Sequence, residues 1–323
     1  WTQVIGGSNM DIAYDIILNK AGNLVMVGNT SSTDGQFTQP EKGGANGDAF
    51  FMELDTAGQI LSTLKYGGRQ GDYFFSVLEA SDGGYLVTGT TGSVDGDLLG
   101  NSNAGTIDGW IAKLRPNGII DWWETVFAPG SEVKNQSPRF NQSDWTEEIW
   151  DATEIVVFGD TVYQVAGTSG HYFGTTGTRD LFLLQFSRSG EQKWLEVLGG
   201  MRDDDVAEIT PGREGTFYLL GQIMAGDGEI GVPYAGGNSD SYIAEMFDFS
   251  IQIEGDLGQS FTDHPTAFVK LPDGRLVVVG TGQSDTTQST GSILGSTFWM
   301  MTSYRRALFL GRSRHGCFVR CGL

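Results

Sequence analysis

Short apolar or alternating runs, each closed by Gly, Asn or Asp, fill most of this chain. In the first stretch "DIAYDIIL" (11–18) precedes a turn at Ala21, Gly22 and Asn23; "NLVMVGNT", a loop, "DAFFMELD" (48–55) and "QILSTLKYGG" (59–68) follow. Runs this short, bounded by turn formers, predict the strands of an antiparallel meander. The same order returns as "DYFFSVLE", "GYLVTGTT", "DGWIAKL" and "IIDWWETV". The phrase around Gly28 recurs around Gly89, Gly167, Gly221 and Gly280, at intervals of 61, 78, 54 and 59 residues. A repeat of this length, seen five times, predicts an all-β fold: a β-propeller of four-stranded antiparallel blades, five in number.

The opening phrase "WTQVIGGS" matches "WLEVLGG" at 194–200, so it has the pattern of a blade's outermost strand. The fifth copy offers three strands within 263–304 and no convincing fourth. The N-terminal strand is therefore expected to supply it and close the ring. Residues 1–304 are expected to form one propeller domain and 305–323 an atypical tail, which carries five Arg and no acid.

Within the copies an Asp lies 17 residues before the repeated Gly in four of five cases, at Asp11, Asp72, Asp204 and Asp263; Trp150 stands in the third copy. A second Asp column opens the third strand of each blade at Asp48, Asp108, Asp180 and Asp240, with Thr297 in the fifth. The combination "GGSNMDIAYDIILNKAGNLVMVGNTSSTDGQF … GGANGDAFFMELDTAG" resembles the bacterial SBBP-type β-propeller repeats of secreted and surface proteins, over residues 1 to about 304. It departs from that family in copy number, five against seven, and in reading "TDGQF" and "VDGDL" where the family has Asp-Phe-Pro. The resemblance implies propeller architecture and an exported protein. It implies no particular chemistry.

Composition narrows the partners. With 48 Gly, 8 Pro and only 19% charged residues, the chain favours turns and strands over helices. A net charge of −20 repels polyphosphates, so no nucleic-acid partner is expected. No window has the apolar length of a membrane span. The first residue is Trp, which suggests that an upstream segment was removed and that the protein is secreted, periplasmic or on a cell surface. Cys317 and Cys321 are the only cysteines, so no disulfide framework supports the repeats. A monomer is expected.

In a propeller the starts of strands one and three share a rim with the blade-to-blade turn and the loop after strand two. Asp11, Asp72, Asp204 and Asp263 are then expected to ring the channel mouth, with Asp34, Asp95, Asp97, Asp227, Glu229 and Asp285 in loops around it. Converging carboxylates suit a hard cation, Ca²⁺ above all. The same residues could instead each cap their own Gly-rich turn. His264, beside Asp263, and His171, in "TSGHYFG", fall on the same rim and are the candidates for acid–base catalysis. The long interval holds an insertion, 127–148, with Phe140 and Trp145, ending near Trp150; these aromatics are candidates to stack on a ligand, or to fill the space of an atypical blade. No elbow serine, zinc motif or phosphate loop is present. The function this predicts is an exported, calcium-holding binding module for a glycan, small-molecule or protein ligand; the alternative is a calcium-dependent hydrolase, a lactonase or glycoside hydrolase.

Overall fold

A computed structural model describes residues 2–40, 42, 46–101, 107–126, 147–169, 179–198, 202–213, 215–224, 239–247, 250–256, 263–271, 276–282, 297–301, 307–313 and 316–317. Within these residues the chain is strand and turn throughout, apart from a single 3-10 turn at Gly96–Leu98. Sheet one is β1 (Asp11–Leu18), β2 (Leu24–Thr30), β3 (Asp48–Leu54) and β4 (Ile60–Tyr66), in spatial order β1-β2-β3-β4. Sheet two repeats the order with β5 (Asp72–Glu79), β6 (Tyr85–Thr91), β7 (Asp108–Leu114) and β8 (Ile120–Val126). Sheet three is β9 (Glu147–Val157), β10 (Asp160–Ser169), β11 (Asp180–Ser187) and β12 (Gln192–Leu198), and sheet four is β13 (Asp204–Pro211), β14 (Phe217–Ile223), β15 (Asp240–Phe247) and β16 (Ser250–Asp256). All four are antiparallel meanders, as the repeat predicted.

Two devices recur. The hairpins closing at Gly22, Gly58, Gly83, Gly118 and Gly190 each place that glycine in the left-handed region, at φ between 80° and 87°. This is the conformation that a short antiparallel connection demands and that only glycine adopts without penalty. The second device is a gradient of burial. Every residue of the middle strands β6, β7 and β14 is buried, whereas the outer strands β4, β8 and β12 are mostly half-buried or exposed. Middle strands covered on both faces need an unbroken apolar run, and outer strands keep the alternation of a solvated face.

By its contacts the chain divides into two compact units. The first holds residues 1–154, 161–173 and 182–195, the second residues 155–160, 174–181 and 196–323. In the first, β5 lies against sheet one, and Val25, Val27, Phe51, Tyr66, Phe74, Tyr85 and Trp110 form one core across both sheets. Phe74 and Trp110 pack at 4.6 Å with their rings tilted by 36°, and Tyr66 donates to the Gly118 carbonyl at 2.6 Å while its ring packs, also tilted, 5.5 Å from Phe74. In the second unit Tyr218, Leu220, Ile243, Phe268 and Val278 make the corresponding core between sheet four and the hairpin β17 (Asp263–Lys270) and β18 (Leu276–Gly282).

The expected closing strand is not formed by the N-terminus. Residues 2–7 carry no strand, and the neighbour hydrogen-bonded to β19 (Thr297–Met301) is β20 (Ala307–Ser313), in the register Thr297 with Gly311 to Met301 with Ala307. β21 (Gly316–Cys317) pairs on β20 in turn. A hairpin across residues 302–306 closes a short loop, whereas pairing residue 1 with residue 297 closes almost the whole chain; at about 0.6 kcal/mol for each doubling of loop length, the local partner has the advantage. Truncation after Met301 is therefore expected to expose β19 to hydrogen exchange far more than removal of residues 1–5 does. Equal protection of 297–301 in both truncations, measured by exchange with mass spectrometry, would show that β20 contributes nothing.

Candidate functional site

The turn "GGSNMD" is built the same way twice. Asp11 accepts from Thr30 Oγ1 through Oδ1 (2.5 Å), and from Ser32 Oγ (2.9 Å) and Gly7 N (2.7 Å) through Oδ2. Sixty-one residues on, Asp72 accepts from Thr91 Oγ1 (2.5 Å), Ser93 Oγ (2.9 Å) and Gly68 N (2.8 Å). The other turn amides are capped from the loop after strand two. Gly6, Ser8 and Asn9 donate to Gln36, Asp34 and Ser32; Gly67, Arg69 and Gln70 donate to Asp97, Asp95 and Ser93. In each copy four backbone N–H groups meet four side-chain oxygens, and none points into an open centre.

Asp11 and Asp72 of the first column therefore work as turn caps. Among the described residues no group of three or more His, Cys, Asp or Glu converges to hold a metal. Asp11 and Asp72 each use three acceptor positions on the turn and on the loop after strand two. Asp204 is buried at the same place in sheet four. Asp263 and His264 lie at the start of β17, opposite Gly282 and Thr281 of β18; their side chains lie outside the described residues. So do His171, Phe140 and Trp145, and the loop acids Asp227, Glu229 and Asp285.

The two Asp columns meet across sheet boundaries. Asp72 N donates to Gly47 O (3.1 Å), beside the buried Asp48, and Asp204 N donates to Arg179 O (2.9 Å), beside the buried Asp180. Burial, more than the nearby Asp48, pushes the Asp72 carboxyl up to about 6 against the opposing pull of its three donors. Burial likewise lifts Asp108 to about 7, with Asn101 offsetting part of the rise.

Three residues after each first-column Asp the inner strand bulges. The register of β1, β5, β13 and β17 on its neighbour slips between Ala13 and Asp15, Phe74 and Ser76, Val206 and Glu208, and Pro265 and Ala267. The extra residues are Tyr14, Phe75, Ala207 and Thr266. This explains the glycine that marks the repeat: a Cβ on Gly28, Gly89 or Gly221 would run into the carbonyl oxygen of Ile12, Tyr73 or Asp205, which the bulge turns toward it. The residue after the bulge then ties the next sheet on. Asp15 Oδ2 accepts from Val77 N (2.9 Å), and Glu208 Oε2 accepts from Phe268 N (2.5 Å) at the equivalent offset.

Tyr14 meets Phe75 edge-on at 5.0 Å, and Phe75 stacks on Trp150 at 4.8 Å with the planes 17° apart. The Trp150 indole donates to Thr168 Oγ1 (2.9 Å), so this ring is held within the strands instead of projecting from the insertion. Tyr73 lies 6.2 Å from Phe75 and reaches a cavity of about 500 Å³. The cavity is lined by residues at the starts of strands one and three (Met10, Gly71, Tyr73, Asn46, Ile107), by Ser31 and Gly92 after strand two, and by Gln70 of the blade-to-blade turn. That is the rim grouping the topology predicted. Asn46 donates to Gln70 Oε1 at 3.5 Å, and among the described residues the lining holds no carboxylate, imidazole or ammonium group. Tyr73, Gln70 and Asn46 drew no notice in the sequence; the only signal was their place beside the repeated turn.

No family model matches the chain, and no curated protein matches it. Among solved structures it is similar to an α-L-arabinofuranosidase from Lactobacillus brevis, at 12% identity and a TM-score of 0.38, over 86% of this chain and 85% of that one. It is also similar to a subtype N10 neuraminidase-like protein of A/little yellow-shouldered bat/Guatemala, at 11% identity and a TM-score of 0.38, over 80% of this chain and 73% of that one. Likenesses this distant say nothing about the chemistry of this chain.

Proposed function

We propose that this chain is an exported β-propeller of five blades, of the SBBP-type kind its repeats resemble, that binds a neutral glycan at the rim cavity of its first two sheets. The lining of that cavity carries the proposal. An aromatic ring, Tyr73, stands beside two primary amides, Asn46 and Gln70, and a hydroxyl, Ser31, with no charged group among them. Sugar rings present apolar C–H faces that pack on an aromatic and hydroxyls that exchange hydrogen bonds with amides, which serve as donor and acceptor at once. A cavity of this volume admits one or two sugar residues. A hydrolase would need an acid and a base facing the substrate, and the described lining supplies neither.

The test is a panel of neutral mono- and oligosaccharides titrated by calorimetry against the wild-type chain and Tyr73→Ala. Tyr73 is half-buried, so the variant should fold. Loss of the ring is expected to weaken binding roughly tenfold. Unchanged affinity would remove the cavity from the account.

A further inference from the structure

Resting on the glycan proposal, we infer that the site does not end at the cavity: the inner-strand aromatics Tyr14, Phe75 and Trp150 continue it, so that it takes a linear neutral oligosaccharide. The four rings are contiguous. Tyr73 lines the cavity and lies 6.2 Å from Phe75, which touches Tyr14 on one side and Trp150 on the other. Tyr14 is 43% exposed, and Tyr73, Phe75 and Trp150 are half-buried, so the row keeps an accessible edge.

The fold does not require aromatics there. At the same bulge sheet four has Ala207, and β17 has Thr266. A bulge turns one side chain out of the alternation of its strand; in sheets one and two that side chain is a large ring, and in sheet three Trp150 lies at the same offset from the carbonyl that faces the repeated glycine. A structural need repeated with the repeat would have filled the position alike in all four. The row runs from the two sheets that carry the cavity onto Trp150 in β9 of sheet three.

Polar groups accompany the rings. Asp15 and Ser76 each follow a bulge ring, and Asp151 follows Trp150. Asp15 takes the Ile16 and Val77 amides, one on each oxygen, and Asp151 Oδ1 takes the Ser76 hydroxyl at 2.6 Å and the Ala152 amide at 2.8 Å. The same carboxylates, on a chain of net charge −20, disfavour acidic sugars.

The experiment titrates neutral oligosaccharides, from the monosaccharide to about the hexasaccharide of whichever sugar binds best, against wild type, Tyr14→Ala and Tyr73→Ala. Affinity is expected to rise roughly tenfold or more with chain length in the wild type, the gain vanishing in Tyr14→Ala while monosaccharide binding survives. Affinity independent of length, or a gain that Tyr14→Ala leaves intact while Tyr73→Ala abolishes binding, overturns the extension and spares the cavity. Monosaccharide binding that Tyr73→Ala leaves unchanged overturns the cavity, and failure of every neutral sugar to bind overturns both.

Discussion

Replacing Gly89 with alanine is expected to destabilise the chain by about 3 kcal/mol or more, enough to unfold a marginal domain. The new methyl group meets the Tyr73 carbonyl oxygen and the Phe74 backbone, neither of which can step aside without breaking the bulge. Gly83→Ala is the control. Gly83 sits at φ 83° in a hairpin turn with nothing within 4 Å of its would-be Cβ, so that substitution carries only the left-handed penalty of roughly 1–2 kcal/mol. Denaturant midpoints of the two variants decide the matter, and equal losses would mean that the bulge yields and the repeated glycine has some other cause.

Asp72→Ala is expected to be comparably damaging. It leaves the Thr91 and Ser93 hydroxyls and the Gly68 amide without their acceptor in a buried turn, at about 1–3 kcal/mol for each donor that finds no other. The wild-type residue also gives the protein a pH signature. The carboxyl of Asp72 titrates near 6 when folded and that of Asp108 near 7, both above the ordinary 3.8. The folded state thus binds more protons than the unfolded one between about pH 4 and pH 7, and stability falls as pH rises through that window. Stability from these two groups is fully present below about pH 4 and lost above about pH 7, an effect on the order of a few kcal/mol. Asp72→Asn with Asp108→Asn should flatten the profile. Thermal midpoints that rise from pH 4 to pH 7 in the wild type would contradict the assignment.

The repeat itself was legible because each copy spells its strands with the same apolar runs and closes them with the same turn glycines. The Asp column was legible as a pattern but not as a job. A carboxylate that binds a cation and one that caps a turn leave the same mark at Asp11 and Asp72. What separates them is the partner set, Thr30, Ser32, Asp34 and Gln36, which repeats at 61 residues as Thr91, Ser93, Asp95 and Asp97 and would have pointed to capping had the columns been read together. The bulge left only an indirect trace, the glycine opposite it. Trp150 stood out as a missing Asp; its stacking on Phe75 depends on a neighbouring sheet that no local pattern reports. The N-terminal phrase misled because "WTQVIGG" has the pattern of an outer strand, while strand pairing is settled by which partner lies within reach.

The carboxylate that follows the bulge in β1 and in β13 has a wider consequence. Asp15 fastens Val77 and Glu208 fastens Phe268, in separate units of the chain, each through a carboxylate oxygen at the same offset from the preceding Asp. The fastening is a common coupling. Any copy with such a residue in its inner strand can receive any copy that offers the amide of the sixth residue of its own, so a chain could lengthen or shorten by whole repeats without redesigning a join. The number of sheets would then be set by how many copies the gene carries, and differences between copies, such as rings at some bulges and small residues at others, would be free to specialise.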